Sequence, residues 1–320
     1  MEVGQPAMAK LNPRKTILVT GASGFIGTHI VARALESGYE VSALSLSGSI
    51  PKELSVQRII QADLANQEEI AQQLSRARFD YVVNCVGYVD HRGYLDGGRR
   101  VLDTNLIGLI NLLSVLDNQS ILRFVQIGSS DEYGTNPAPQ TENMREAPIS
   151  PYSYAKVAAT HLLQMRNRTE GFPAVILRLF LVYGPGQNSA RFLPQVISGC
   201  IEDKSFPVSE GGQERDFCYV DDVLEGIFRT LESNKVDGEV INLASGHPIT
   251  IREMIDKVVT LAGGGKPQFG QVPYRSGENM SLYADITKAC KLLDWKPSTD
   301  IDSGLSKTIA WYKAQTRRNL

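Results

Sequence analysis

Long hydrophobic runs are missing from this 320-residue chain; no stretch of eighteen apolar residues occurs, so the sequence offers no helix to cross a bilayer. Cysteine is scarce. The four present, Cys85, Cys200, Cys218 and Cys290, lack C-x-x-C spacing, which argues against a zinc site or disulfide framework and for reduced thiols in the cytoplasm. Neither charge is in excess: 33 Lys and Arg against 35 Asp and Glu leave a formal net charge of -2, with no basic block or acidic tail. That balance excludes the electrostatic footprint of a nucleic-acid binder. Residues 1–15 hold Gly4, Pro6 and Pro13 but no continuous apolar segment, and are expected to form a leader rather than a secretory signal. Apart from Gly263-Gly264-Gly265 there is no low-complexity segment, and no internal repeat.

What the chain does contain is alternation. Short β-branched runs at Ile17–Thr20, Glu40–Leu44, Arg58–Ala62, Tyr81–Cys85, Phe124–Ile127, Val175–Leu181 and Val240–Leu243 are separated by helical stretches at Phe25–Ser37, Gln67–Ser75, Arg99–Asp117 and Tyr152–Arg168. Seven such runs with crossover helices predict an α/β fold, a Rossmann-type doubly wound parallel sheet. After Tyr183 the texture changes to Gly184-Pro185-Gly186, a helix near Phe192–Cys200 and a polar loop at Ser209–Gln213. The expected division is therefore a dinucleotide-binding domain of residues 16–184 and about 219–246, with a smaller, discontinuous C-terminal substrate lobe of about 185–218 and 247–320.

Between the first run and the first helix lies Thr20-Gly21-Ala22-Ser23-Gly24-Phe25-Ile26-Gly27. Glycines belong where a backbone turns tightly, approaches a pyrophosphate or packs a helix onto a strand, and the helix N-terminus then supplies N–H donors. Gly21, Ser23, Gly24, Phe25, Ile26 and Gly27 are the expected phosphate cradle. The acidic residue that usually holds the adenosine ribose is replaced by Ser45, which has no charge to repel a 2′-phosphate; the reading therefore favours NADP(H) over NAD(H), with Arg33 or Lys52 within reach of that phosphate. Asp63-Leu64, ending the third strand, are placed for the adenine, or Asp63 for an ordinary helix cap.

Tyr152-Ser-Tyr-Ala-Lys156 sets a phenol and an ammonium four residues apart on one helix face. A nearby cation favours the phenolate and lowers a Tyr pKa, which suits proton exchange with a hydroxyl. Upstream, Phe124–Ile127 runs into Gly128-Ser129-Ser130-Asp131-Glu132-Tyr133-Gly134, so Ser129 stands at a strand end facing the ligand crevice.

Together with Leu177-Arg-Leu-Phe-Leu-Val-Tyr-Gly-Pro185 and Arg215-Asp-Phe-Cys-Tyr-Val-Asp-Asp222, these motifs make the chain resemble the extended short-chain dehydrogenase/reductase superfamily, in its nucleotide-sugar epimerase/dehydratase branch, from about Lys15 to about Tyr312. The resemblance implies an enzyme in which Tyr152 is the acid/base, Lys156 binds the nicotinamide ribose and lowers the Tyr pKa, and Ser129 holds the sugar oxygen. It places Asn105, in Asp103-Thr-Asn105-Leu-Ile-Gly108, at the cofactor site. It places Ser130, Asp131, Leu181, Arg215 and Arg275 against the nucleotide-diphosphate sugar, and suggests a homodimer through Arg99–Asp117 and Tyr152–Arg168. The chain departs from the family's pattern at Leu181, where an asparagine is common, and at Asn84-Cys85-Val86-Gly87.

Three outcomes are open: reduction of a 4-keto-6-deoxy sugar at C4, 4-epimerisation, and 4,6-dehydration. Dehydration needs an extra acid and base after Ser129; Ser130 replaces the first and Asp131 matches the second. Ser45 and the look of Gly128–Gly134 and Gly184–Gln187 point to the reductase. A cofactor sensor without chemistry is disfavoured by the retained Tyr and Lys, and a steroid or flavonoid enzyme by Arg215 and Arg275.

Overall fold

A computed structural model describes residues 15–75, 77–274 and 277–318. The first half builds strand, helix, strand in turn: β1 (Thr16–Thr20), α1 (Phe25–Glu36), β2 (Glu40–Ser45), β3 (Arg58–Gln61), α2 (Gln67–Leu74), β4 (Tyr81–Asn84), α3 (Gly98–Leu102), α4 (Gly108–Val115), β5 (Arg123–Ser129), α5 (Pro151–Glu170) and β6 (Ala174–Leu179). Asn66 caps α2 by accepting from the Glu69 N–H, and Ser150 caps α5 with Pro151 at its first position. A π-helical turn, Asp103–Ile107, joins α3 to α4, so the single helix expected from Arg99 is interrupted around Asn105.

The second half contributes β7 (Leu181–Tyr183), α6 (Phe192–Ile201), β8 (Ser205–Pro207), β9 (Glu214–Tyr219), α7 (Val220–Glu232), β10 (Val240–Leu243), β11 (Pro248–Thr250), α8 (Ile251–Ala262), β12 (Lys266–Gln268), β13 (Ser281–Leu282), α9 (Thr287–Leu293) and α10 (Ile301–Arg318). Seven strands form one parallel sheet in the order β10-β6-β5-β4-β1-β2-β3. The order reverses between β1 and β4, and a sheet of this kind binds its ligand outside the carboxyl ends of the strands at that reversal. All seven expected runs lie in this sheet. One differs: the run to Leu181 breaks at Phe180, because Leu181–Tyr183 turns away to pair with β9 in a second sheet of order β11-β9-β13. We propose that this second sheet, with α6 and the elements after β10, forms the smaller lobe; β10 itself returns to pair with β6.

The pleat sorts the core. Leu18, Leu44, Ile60, Val82 and Phe124 point to one face, under Ile70 and Leu74 of α2, Leu109 and Leu112 of α4, and Leu163 of α5. Their neighbours Ile17, Val19, Val41, Val83 and Val125 point to the other, under Ile30 and Val31 of α1 and Val223 and Ile227 of α7. This second cluster runs without a break into Leu193 and Ile197 of α6, Ile255 of α8 and Leu305 and Ile309 of α10. Trp295, almost wholly buried, donates to the Asp222 carbonyl at 2.9 Å, and the Asp222 carboxylate accepts from Ser298 and Thr299. No helix among the described residues is long and apolar enough to cross a membrane.

Burial pushes the Cys200 thiol from 9.0 up to about 11 and the Cys85 thiol up to about 12, and it pushes the Tyr133, Tyr219 and Tyr312 hydroxyls from 10.0 up to about 12. Each folded-state value lies above the unfolded one, so this stability is fully present below the unfolded values and is lost as pH rises through the folded ones. The urea midpoint, followed by circular dichroism under reducing conditions, is expected to fall between about pH 9 and about pH 12. A midpoint flat across that window would contradict the assignment.

Candidate active site

The turn after β1 is pressed against the end of β4. Gly21 has a φ of +66°, and a β-carbon there would come within 2.9 Å of the Cys85 backbone. A β-carbon on Gly27 would lie 2.2 Å from the Gly21 carbonyl, so α1 can start here only on glycine. The first turn of α1 has no side-chain cap and no acidic residue. The Gly24 amide closes the turn by donating to the Gly21 carbonyl at 2.9 Å; the amides of Ser23, Phe25 and Ile26, with the positive end of the helix behind them, fit a dinucleotide's pyrophosphate.

The adenosine side departs from expectation. Ser45 is buried at the end of β2, and its hydroxyl oxygen is enclosed with no hydrogen-bond partner among the described residues. Enclosure removes it as a donor to a ribose or a 2′-phosphate. Arg33 is turned toward α7, 3.4 Å from Glu225, near the far end of α1. The Asp63 carboxylate accepts from the Ala65 N–H at 2.9 Å and lines a depression of about 480 Å³ with Leu46, Gln61 and Glu69; the cap of α2 is Asn66 instead. Leu64 is buried against α4, its carbonyl accepting from Asn111, which leaves only its backbone N–H for a ligand.

At the centre of the sheet the expected residues come together. Tyr152 and Lys156 on α5 and Ser129 at the end of β5 form one cluster, close enough for the Ser129 hydroxyl to act on the Tyr152 phenol. Lys156 is buried, donates to the Ile127 carbonyl at 2.9 Å and lies 5.8 Å from the Tyr152 ring centroid. Asn105 spends its amide on the loop after β4: it donates to the Tyr88 and Val101 carbonyls and accepts from the Tyr88 N–H. Gly87 of that loop lies over both Asn105 and Lys156; a β-carbon there would sit 3.5 and 3.6 Å from their polar atoms.

Electrostatics correct one expectation. Burial, and then the Asp131 carboxylate, raise the Tyr152 pKa above the ordinary phenol value, against the Ser129 hydroxyl that lowers it. Burial thus outweighs the lowering expected from Lys156. Lys156 is itself depressed by burial, which weakens the cation that was to favour the phenolate. Asp131 is raised by burial against the pull of His91, Arg215 and Arg191. His91 was not anticipated; it lies 3.7 Å from the Asp131 carboxylate and packs edge-on against the Tyr152 ring at 5.5 Å. It sits in an irregular loop that carries no sequence pattern.

The remaining assignments divide. Ser130 is buried in the 3₁₀ turn after β5, and Leu181 opens β7, partly packed on the core. Arg215, in β9, is ion-paired with Glu278, while its neighbour Asp216 is a buried hub for Ser245, Gly246 and Ala284. Asp216 and Asp222 of that motif therefore hold the fold. Arg275 lies outside the described residues.

A profile of the NAD dependent epimerase/dehydratase family matches residues 17–244. The chain belongs to that family. It is an enzyme of the extended short-chain dehydrogenase/reductase type, and its NAD(P)-binding frame is the sheet described above. It is 28% identical over 339 residues to a dTDP-glucose 4,6-dehydratase of Salmonella typhimurium, covering 94% of this chain and 93% of the relative. It is also 28% identical to a UDP-glucuronate 4-epimerase of Thermodesulfobacterium geofontis, covering 92% and 95%. Among solved structures, the UDP-glucose 4-epimerase of Thermotoga maritima with UDP-glucose superposes with a TM-score of 0.84 at 26% identity, over 94% of this chain and 99% of that one. MoeE5 in complex with UDP-glucuronic acid and NAD does so with a TM-score of 0.84 at 27% identity, over 95% and 100%.

Gly21→Ala places a β-carbon against the Cys85 backbone in a left-handed conformation. It is expected to cost about 1–3 kcal/mol of stability and to weaken NAD binding by about tenfold or more, read by thermal melting and fluorescence titration. Unchanged NAD affinity would show that this turn does not bear the phosphates.

Proposed function

We propose that this enzyme is an NAD-dependent nucleotide-diphosphate-sugar 4-epimerase. The observation that carries the reading is the gathering of Ser129 and Tyr152 at the carboxyl edge of the sheet, with Lys156 buried beside them and donating to the Ile127 carbonyl. The nicotinamide, when bound, supplies hydride acceptance and return. Tyr152 takes the proton of the C4 hydroxyl as that carbon is oxidised and gives it back on reduction, and Ser129 holds the same oxygen. Lys156 has its ammonium free to turn from the Ile127 carbonyl to the ribose hydroxyls. Gly21, Ser23, Gly24, Phe25, Ile26 and Gly27 carry the pyrophosphate, and Asp63 and the Leu64 backbone the adenine. Asn105 holds the Tyr88 loop over the nicotinamide side. Asp131, Arg215 and Leu181 line the sugar-nucleotide side, where Arg215 exchanges Glu278 for a diphosphate oxygen.

The choice among reactions rests on two residues. The reductase expected from the sequence needed Ser45 to admit NADPH; with that hydroxyl enclosed the support is gone, and the solved relative MoeE5 is described with NAD. Dehydration needs an acid and a base beyond Ser129, and Ser130 stands where the first would be. A 4,6-dehydratase is the second reading, favoured by Asp131: its carboxyl is raised by burial and lies beside Tyr152 and His91. The four free cysteines support a cytoplasmic enzyme.

Tyr152→Phe is expected to bind NAD normally and to lose about 10²–10⁴-fold in turnover with UDP-glucose or dTDP-glucose, the range typical of a lost acid/base. Wild-type turnover in that variant would refute the hydride-transfer site. Extraction of the purified protein is expected to release bound NAD; an empty site that accepts NADPH would return the reading to the reductase.

We further propose a homodimer through α4 and α5. Ile107, ending the π-helical turn, and Ile110 on α4 are 39% and 42% exposed, and Tyr154 and Met165 are 55% and 41% exposed three turns apart on α5. Light scattering is expected to give a dimer mass for the native chain and a monomer for Ile110→Asp with Tyr154→Asp. A native monomer would overturn the interface.

A further inference from the structure

Glu132 is wholly buried, and its carboxylate is shared by three elements of the site. Oε1 accepts from the Ser129 N–H at 3.0 Å, and Oε2 accepts from the Thr160 hydroxyl at 2.8 Å and from Arg178 Nε at 2.9 Å. Thr160 stands on α5 one turn beyond Lys156 and two beyond Tyr152, on the same stripe. Arg178, also wholly buried, belongs to β6; it reaches Glu146 at 2.7 Å and lies 4.6 Å over the Tyr133 ring. Gly128 makes the room, since a β-carbon there would come 2.7 Å from Glu132 Oε1. A buried ion pair in an otherwise apolar strand is poor evidence for stability, because apolar replacements of such pairs are often neutral or stabilising. Stability alone therefore does not account for this one.

We propose that Glu132 is a positioning residue: it clamps the end of β5 to α5 and so fixes Ser129 against Tyr152, with Arg178 as its counter-ion. The inference rests on the hydride-transfer reading of Ser129, Tyr152 and Lys156. Its charge acts as well as its geometry. The groups facing Tyr152 are Asp131 and Glu132 from the turn after β5, His91 from the loop after β4, Arg191 ahead of α6 and Lys156 on its own helix. Among them Glu132 opposes the phenolate and favours the Lys156 ammonium. Glutamine at this position keeps one carbonyl acceptor and removes the charge, so oxidation should reach its half-maximal rate at lower pH.

The full-length Glu132→Gln and Thr160→Val variants test this beside Tyr152→Phe, with UDP-glucose and dTDP-glucose as substrates and amide hydrogen exchange as a measurement needing no substrate. In Glu132→Gln, kcat is expected to fall about tenfold to a hundredfold with KM within about threefold, as for a misplaced catalytic group. The limb on which its oxidation rate rises with pH should move to lower pH, and exchange across residues 128–134 should rise while β1 and β2 stay as in the wild type. Thr160→Val should raise the same exchange and lower kcat without moving the limb. Exchange at 128–134 unchanged in both variants would overturn the clamp, whatever the substrate results. Arg178→Met added to Glu132→Gln removes the unbalanced guanidinium; restored stability with kcat still low supports positioning, and restored kcat reduces Glu132 to a structural residue. Full turnover by Tyr152→Phe would instead overturn the hydride-transfer reading, leaving the exchange result to decide the clamp.

Discussion

The Gly21 carbonyl occupies the space that a β-carbon at position 27 would need, and Gly21 itself lies on the backbone of Cys85. This three-way contact among the β1 turn, α1 and the end of β4 fixes the strand reversal as a crevice of set width. On one side of it stand uncapped helix amides, and on the other the loop through Gly87 that Asn105 pins above Lys156. The sheet needs the contact to bring a dinucleotide's charged and reacting ends to α1 and α5 at once. A side chain at position 21 or 27 would separate the two.

The cluster of Ser129, Tyr152 and Lys156 is assembled differently. Its parts come from β5 and α5, which approach as two layers packed through apolar side chains such as Phe124 and Leu163. Apolar packing sets a layer spacing but does not fix a hydroxyl to a fraction of an ångström. Directional bonds do that, and here they converge on a single buried carboxylate. Burial has a cost for the same residues: it raises Tyr152 and depresses Lys156, so each group sits further from its reactive protonation state than its motif alone implies.

Much of this was legible in the sequence. The central strands β1, β4, β5 and β6 are buried on both faces and read as largely apolar runs, and the glycine turn and the Tyr152–Lys156 spacing carry their geometry in the spacing itself. The short strands Ser205–Pro207, Lys266–Gln268 and Ser281–Leu282 hold too few residues to show a period. The enclosure of Ser45 was not legible, because it depends on how the neighbouring chain packs, not on the residue's register. Arg178 was a missed signal: a guanidinium inside Val175–Leu181 requires a buried carboxylate, and Glu132, next to Ser129 and Tyr133, was the nearest candidate in the motif already under scrutiny.

The unbroken apolar cluster from Ile17 through Val223 to Ile309 bears on how such an enzyme can diverge. A lobe with its own core could be cut away, grafted or exchanged between relatives as a module. This one shares its interior with the nucleotide-binding sheet and is stitched to it by Trp295 and Asp222, so a chimera joined after Tyr183 would expose half a core on each side. Substitution in the loops around Asp131, His91 and Arg191 leaves that shared interior untouched, whereas exchange of the segments after Tyr183 does not.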